Sequence, residues 1–115
     1  MGQIRHQILT QHPRVERVWV VDPALESGPA GLKGTFLQQE ALIPWDEVDA
    51  VFVCTPNDVT SDLVVESLKR CRRVFCEKPP GRRWEDLVRI RQAADQLGEH
   101  TLVFGFNHRL HPAIQ

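Results

Sequence analysis

The chain has 115 residues, of which 42% are hydrophobic, and its formal net charge at pH 7 is -1. This length fits one hydrophobic core of ordinary size, so we expect one folded soluble domain and no second domain. The near-neutral charge argues against a broad positive field of the kind that nucleic acid or an anionic membrane would attract.

The chain shows no membrane-spanning, secretory or disulfide pattern. No apolar run approaches the ~20 residues that cross a bilayer, and the first residues lack the apolar segment of a signal peptide. The three cysteines, Cys54, Cys71 and Cys76, are odd in number and have no C-x-x-C spacing. We therefore expect a cytoplasmic protein with reduced thiols, without a disulfide framework or a zinc site.

The first part of the chain alternates between helical and extended patterns. The spacing of Ile4, Ile8 and Leu9 predicts a helix that ends at Pro13. The run 15–21 predicts a strand ending at Asp22-Pro23. After it we expect a loop at 24–34, a short strand at 35–37 and a brief helix at 38–43.

The second part repeats strand and helix more clearly. The continuous apolar run 50–54 is typical of a parallel strand covered on both faces. The patterns predict further strands at 73–76 and 101–106, and helices at 59–70 and 83–97, the second stopping near Gly98. This alternation predicts an α/β fold with a doubly wound parallel sheet joined by right-handed crossovers.

One of these strands delivers two charged residues into a segment that can continue neither strand nor helix. Glu77 and Lys78 follow the apolar run 74–76 and precede Pro79-Pro80-Gly81. Because ligands bind at the carboxyl ends of parallel strands, a lysine held there can meet a substrate oxygen or a cofactor. The alternative is a surface salt bridge at a strand end.

Three segments, in this order and at suitable intervals, carry a family resemblance. They are Val51-Phe52-Val53-Cys54-Thr55-Pro56-Asn57, Cys76-Glu77-Lys78-Pro79-Pro80 and Gly105-Phe106-Asn107-His108-Arg109. Together they resemble the nucleotide-binding domain of the Gfo/Idh/MocA family of nicotinamide-dependent sugar and polyol oxidoreductases. The resemblance covers nearly the whole chain and implies a Rossmann-like sheet that binds a nicotinamide dinucleotide.

The resemblance implies roles for the residues that follow the last two strands. Lys78 would be catalytic, directed at the substrate hydroxyl that loses its proton as hydride leaves the neighbouring carbon. An ammonium suits this role because it stabilises a developing alkoxide. Glu77 would lie near the nicotinamide ribose, and Asn107 and Arg109 near the nicotinamide.

The resemblance also implies that Thr55 and Pro56 form a turn bordering the cofactor, where Asn57 could donate a hydrogen bond. The alternative is a helix N-terminus capped by Asn57 or Asp58, which does not exclude contact with the cofactor. Many family members carry histidine where this chain has Thr60. Because of this difference, the detailed geometry of the family's turn is not carried over to this chain.

Gly2 and Asp22 fit the later part of a dinucleotide-binding fingerprint. That fingerprint has three glycines in G-x-G-x-x-G and an acidic ribose ligand ~20 positions further on. We infer that Gly2 matches the third glycine, which lets the first helix pack closely on the sheet. Asp22 would accept hydrogen bonds from the ribose hydroxyls and repel a 2′-phosphate, which favours NAD over NADP; the alternative is an exposed turn aspartate.

Two other patterns are weak. Gly28, Gly31 and Gly34 form a G-x-x-G-x-x-G series that follows no tight strand-to-helix turn, so a flexible loop is the interpretation we favour. His108 and His111 have H-x-x-H spacing without an evident third ligand, so we expect no metal site.

If Gly2 is the third glycine, the first strand and the other two glycines would lie upstream of Met1. We then expect an incomplete dinucleotide-binding domain over 1–115, with the central strand of the sheet and the substrate domain missing. Two hypotheses stay open: a fragment of an oxidoreductase that is inactive alone, or a non-catalytic binding or interaction module. The family's habit of forming homo-oligomers is a further expectation for a complete enzyme.

Overall fold

The computed structural model describes residues 1–24, 33–71, 73–98, 101–106 and 112–113. The chain divides into two compact units, Met1–Asp46 and Glu47–Gln115. Both combine α-helix with parallel strands, so the α/β class predicted from the sequence is confirmed. Across the described ranges, no helix has the length and hydropathy needed to cross a membrane.

The first unit contains one helix and a two-stranded parallel sheet. Helix α1 spans Gly2–Gln11, strand β1 spans Trp19–Val21 and strand β2 spans Thr35–Leu37. The strands pair in parallel, with Val20 opposite Phe36. Single 3-10 turns at Glu40–Leu42 and Trp45–Glu47 follow.

His6 is the buried residue of α1 and connects it to the segment before β2. Its Nε2 is hydrogen-bonded to the carbonyl of Lys33, which can only accept, so Nε2 must carry the proton. The next residue, Gly34, has φ 127°, and a Cβ there would lie 2.8 Å from the Val18 carbonyl oxygen. Glycine is therefore required at the entry to β2.

The second unit contains three parallel strands and two helices. Its elements are β3 (Val51–Val53), α2 (Thr60–Arg70), β4 (Arg73–Cys76), α3 (Trp84–Gln96) and β5 (Thr101–Phe104). The strand order is β3-β4-β5, so each strand-helix-strand step places the next strand beside the last. Gly98, with φ 76°, follows the end of α3 as the sequence predicted.

The core of the second unit lies on one face of its sheet. Buried residues of strands β3 and β4 pack against buried residues of α2 and α3: Val53, Val74, Cys76, Val64, Leu68 and Ile90. Side chains alternate along a strand, so Phe52 and Phe75 lie on the opposite face, with ring centroids 5.2 Å apart. Phe52 is 39% exposed, so the expectation that 50–54 is covered on both faces is wrong.

Most predicted elements are present, with shorter strands than expected. The strand predicted at 15–21 begins only at Trp19, and the helix predicted at 38–43 is one 3-10 turn. The described strands pair as β1-β2 in the first unit and as β3-β4-β5 in the second, and the predicted absence of a central strand stays a prediction. Most of the loop predicted at 24–34, including Gly28 and Gly31, lies outside the described residues.

Candidate functional site

The three strands of the second unit end side by side. Val53 of β3 is opposite Cys76 of β4, which is opposite Phe104 of β5. The turn at 55–57, the Glu77-Lys78 pair and Gly105 therefore follow neighbouring strand ends at the same edge of the sheet. This edge is the place where open α/β sheets bind ligands.

Glu77 is fixed by an extension of the strand pairing. Its backbone N–H donates to the Val53 carbonyl at 2.9 Å, and the N–H of Gly105 donates to the Cys76 carbonyl at 2.9 Å. The side chain of Glu77 is buried, at 6% exposure. Its Oε2 accepts a hydrogen bond from the backbone N–H of Lys78 at 3.3 Å. A carboxylate is thus held at the strand end and in contact with the backbone of the following lysine.

Lys78 itself is exposed and begins a short rigid connection to α3. The Lys78-Pro79 peptide bond is cis. Within the described part of the chain, the Lys78 ammonium forms no ion pair with Glu77 or another carboxylate. The salt bridge required by the alternative interpretation is therefore not formed among the described residues.

The far end of this connection is held by Asp86 at the start of α3. Its Oδ2 accepts hydrogen bonds from the backbone N–H groups of Arg82 at 2.9 Å and Arg83 at 3.2 Å. The Arg82 amide first, and then the Arg83 amide, hold the pKa of Asp86 below its usual value. A Cβ at Gly81 would lie 2.5 Å from the Asp86 Cβ, so the chain passes too close for a side chain. Lys78 is therefore placed between two fixed points.

The turn after β3 is organised by Thr60, which is 1% exposed. Its Oγ1 lies 2.9 Å from the Pro56 carbonyl, 3.2 Å from the Thr55 carbonyl and 3.1 Å from Thr55 Oγ1. Thr60 has one hydroxyl proton, which a carbonyl must receive, so Thr55 donates its own proton to Thr60. Thr55 is exposed, and its oxygen keeps acceptor capacity for a ligand.

The alternative interpretation of this turn, a helix N-terminus capped by Asn57 or Asp58, is not what the structure shows. Helix α2 begins after Val59, and neither Asn57 nor Asp58 makes a side-chain cap. Thr60 reaches back to the turn with its hydroxyl and replaces the cap as the local anchor. Asn57 and Pro56 are exposed, as a cofactor contact would require.

In the first unit, Asp22 follows the carboxyl end of β1 and is half-buried. Its Oδ1 accepts a hydrogen bond from the Ala24 N–H at 3.0 Å. Its Oδ2 has no partner among the residues described. Asp22 is thus a turn aspartate that retains one carboxylate oxygen for a ligand. Gly2 is the first residue of α1, and its predicted close packing on the sheet stays a prediction.

The remaining predicted residues of the last motif lie outside the described residues: Asn107, His108, Arg109 and His111. The part of the chain that the structure describes holds no group of three or more metal-ligating side chains. Gly105 was named in the sequence as part of the third motif, and Thr60 as a departure from the family, but no structural role was predicted for either. Their roles depend on contacts with Glu77 and with the turn at 55–56, which the sequence pattern does not indicate.

Each unit by itself presents polar groups after its strand ends. The second unit presents the Thr55 hydroxyl, the Asn57 amide and the Lys78 ammonium beside neighbouring strand ends. The first unit presents a carboxylate with an unpartnered oxygen at Asp22, which suits ribose hydroxyls. Parallel strands joined by helices, with polar groups after their carboxyl ends, are the architecture of Rossmann-type nucleotide-binding proteins.

Comparison with known proteins identifies the family. The Gfo/Idh/MocA family model, described as an oxidoreductase family with an NAD-binding Rossmann fold, matches residues 1–105. The chain belongs to this family, as the resemblance of its motifs indicated.

Curated relatives cover the chain well but are much longer. Inositol 2-dehydrogenase of Rhizobium meliloti (strain 1021) is 28% identical over 97% of this chain and 34% of its own length. Myo-inositol 2-dehydrogenase of Thermotoga maritima is 33% identical over 69% of this chain and 23% of its own. The chain thus spans about a third or less of the length of these relatives.

Solved structures confirm the fold. The WlbA dehydrogenase of Bordetella pertussis, in complex with NADH and UDP-GlcNAcA, matches with a TM-score of 0.81 at 23% identity. That match covers 99% of this chain and 36% of the other. Scyllo-inositol dehydrogenase of Lactobacillus casei, with NAD(H) and scyllo-inositol, gives a TM-score of 0.77 at 21% identity, covering 97% of this chain and 35% of the other.

Proposed function

We propose that this chain is the NAD(H)-binding part of a dehydrogenase that transfers hydride between nicotinamide and a hydroxyl or carbonyl carbon of a sugar or polyol. The observation that carries the proposal is the Glu77-Lys78 pair. A buried carboxylate holds the backbone of an exposed lysine at the carboxyl end of the middle strand. This is the position from which an ammonium can reach a bound substrate.

The chemistry assigned to these residues follows from their charges. Nicotinamide, when bound, supplies the hydride donor or acceptor. In the oxidation direction the Lys78 amine takes the proton of the substrate hydroxyl and becomes the ammonium, and in the reduction direction the ammonium stabilises the developing alkoxide and returns the proton to it. Glu77 orients the lysine backbone, and the Thr55 oxygen accepts a hydrogen bond from the dinucleotide. Asn107 and Arg109 contribute near the nicotinamide.

The relatives support the substrate class. Inositol dehydrogenases recur among them, and solved neighbours carry NADH or NAD(H) with a sugar nucleotide or an inositol. The relatives do not decide between NAD and NADP, because one of them, from Haloferax volcanii, is a D-xylose 1-dehydrogenase (NADP(+)). The choice therefore rests on Asp22. A carboxylate at Asp22 repels a 2′-phosphate, so we propose NAD.

The catalytic role is tested by Lys78→Met in the natively expressed protein, assayed with NAD+ and a panel of sugars and inositols. We expect kcat to fall by about 10²- to 10⁴-fold because the charge at the substrate oxygen is lost. NADH affinity, measured by energy transfer from tryptophan, should stay within about twofold. Lys69→Met, at an exposed lysine of α2 that pairs with Glu66, is the control. Unchanged turnover in Lys78→Met would refute the role.

The cofactor preference is tested by Asp22→Asn in the same titration with NADH and NADPH. We expect NADH binding to weaken by about tenfold, because a charged hydrogen bond contributes roughly 1.5 kcal/mol or more. NADPH binding should not weaken. If the unaltered protein gives no signal with either dinucleotide at millimolar concentration, the non-catalytic module is the correct alternative.

A further inference from the structure

Gly105 is buried directly after β5, and its backbone does not require glycine. Its N–H donates to the Cys76 carbonyl, which continues the strand pairing. The described glycines with positive φ are Gly34 and Gly98, so the conformation at 105 is open to any L-residue. A side chain at this position is excluded because there is no room for it.

That space is occupied by the carboxylate of Glu77. A Cβ at Gly105 would lie 2.7 Å from Glu77 Oε2, 3.2 Å from its Cδ and 3.1 Å from Phe75 Cζ. The distance to Oε2 is shorter than any relaxed carbon-oxygen contact. The carboxylate therefore lies across the bare Cα of Gly105.

The same oxygen connects Gly105 to the lysine. Oε2 of Glu77 accepts the Lys78 backbone N–H at 3.3 Å, near the long limit of a hydrogen bond. We propose that Gly105 is a positioning residue for Lys78: the missing side chain at 105 leaves room for the Glu77 carboxylate at the place from which its Oε2 accepts the Lys78 backbone N–H. The inference rests on the proposed function, since it assigns a purpose to the position of Lys78.

A side chain at 105 would force Oε2 to move by several tenths of an ångström. The hydrogen bond to the Lys78 N–H is already 3.3 Å long, so a displacement of Oε2 away from that N–H breaks it. Lysine would then lose one of the two points that hold residues 78–81. Misplacing a catalytic group by about 1 Å costs up to about 10²-fold in rate.

The first test measures the chain itself without cofactor. Hydrogen exchange of the Lys78 amide is followed by NMR in Gly105→Ala, Glu77→Ala and the double variant. We expect each single variant to speed exchange at least threefold, and the double variant to match Glu77→Ala. Unchanged exchange in Gly105→Ala, or independent effects that multiply in the double variant, would overturn the proposal.

The second test measures turnover per folded protein. Gly105→Ala should lower kcat by about tenfold, with the KM for NAD+ changed less than twofold, and should have no further effect in a Glu77→Ala background. If Gly105→Ala acted only through a loss of packing, it would lower kcat by the same factor in the unaltered protein and in Glu77→Ala. That result would contradict the proposal.

Phe75→Leu keeps the test valid if Gly105→Ala folds poorly. It removes the contact at Phe75 Cζ and leaves only the contact with the carboxylate. A Gly105→Ala/Phe75→Leu protein with normal Lys78 exchange and full turnover would overturn the proposal. The experiments distinguish a failure of this inference from a failure of the proposed function. Retained turnover in Lys78→Met would contradict the proposed function, whereas unchanged Lys78 amide exchange in Gly105→Ala would contradict only the role of Gly105.

Discussion

The two units support the residues at their strand ends in different ways. In the second unit, both helices and two strands contribute to one buried cluster beneath the sheet edge that carries Glu77. In the first unit, helix α1 leaves Ile4 and Ile8 52% and 53% exposed, and Asp22 follows a strand of three residues. Every buried hydrophobic residue among those described lies in the second unit. The second unit thus builds its site on its own core.

This difference gives the two candidate groups different kinds of support. Glu77 is held by its own N–H bond to the Val53 carbonyl, and on the other side the Gly105 N–H bonds the carbonyl of the preceding residue, Cys76. Asp22 is held by its turn to Ala24 and by a long backbone bond, 3.4 Å, to the Leu37 carbonyl. We therefore expect substitutions in the second unit to have larger effects on stability than chemically matched ones in the first.

The largest difference should come from core truncation. Leu68→Ala removes a side chain with 0% exposure from the buried cluster and should cost about 2–5 kcal/mol of unfolding free energy. Ile8→Ala, at a half-exposed position of α1, should change it by about 0.5 kcal/mol or less. Urea unfolding of the chain followed by circular dichroism measures both. Equal losses would show that the first unit has a comparable core.

The second effect is a loss of stability at alkaline pH that originates in the second unit. Burial raises the pKa of the Cys76 thiol from 9.0 to about 11, with smaller contributions from Cys54 and Glu77. Above pH 9 the unfolded chain loses this proton while the folded chain keeps it, so the unfolding free energy falls as pH rises. Between pH 8 and pH 11 the fall should be about 2 kcal/mol.

Cys76→Ala is the control for that measurement. This variant lacks the titrating thiol. The unfolding free energy of the variant should therefore decline less steeply between pH 8 and pH 11 than that of the unaltered protein, whatever the stability of the variant at pH 7. Parallel curves for the two proteins would contradict a buried neutral thiol. The comparison uses urea midpoints at each pH.

The smallest effect concerns two threonine hydroxyls, one in each unit. Thr60→Val should cost about 1–2 kcal/mol, because its buried hydroxyl bonds the turn at Thr55 and Pro56. Thr10→Val removes a hydroxyl that bonds back to the carbonyl of His6 at a half-exposed site, and should cost about 0.5 kcal/mol or less. Thr60→Ser, which keeps the hydroxyl, should retain most of the stability. A Thr60→Ser loss as large as that of Thr60→Val would show that packing of the methyl group contributes as much as the hydroxyl bonds.

The success of the sequence-based predictions followed the range of the interactions involved. The helices at α2 and α3 and the strand at β4 were predicted nearly to the residue, because local periodicity and turn residues determine them. Strand β1 was overestimated by four residues, because the ladder with β2 begins only at Trp19 opposite Thr35, and of the earlier residues Val18 contributes only its carbonyl, which accepts the Thr35 N–H. Pairing depends on residues distant in sequence.

The candidate site divides in the same way. The order of Glu77, Lys78 and the prolines after an apolar run predicted a charged pair at a strand end, and the structure places it there. The alternative interpretation, a helix cap at Asn57 or Asp58, is not what the structure shows, because buried Thr60 competes for the turn. The roles of Asp22, Lys78, Asn107 and Arg109 toward a cofactor stay predictions.

By itself, the sequence determined the α/β class, the family and the identity of the charged pair after β4, because these depend on local periodicity and on motifs contiguous in the chain. Only the tertiary structure decided that Glu77 is buried while Lys78 is exposed, and that Gly105 must lack a side chain. These properties arise from strands that are separated in sequence and meet at hydrogen-bonding distance. Contacts between such distant strands cannot be predicted from a local pattern of residues.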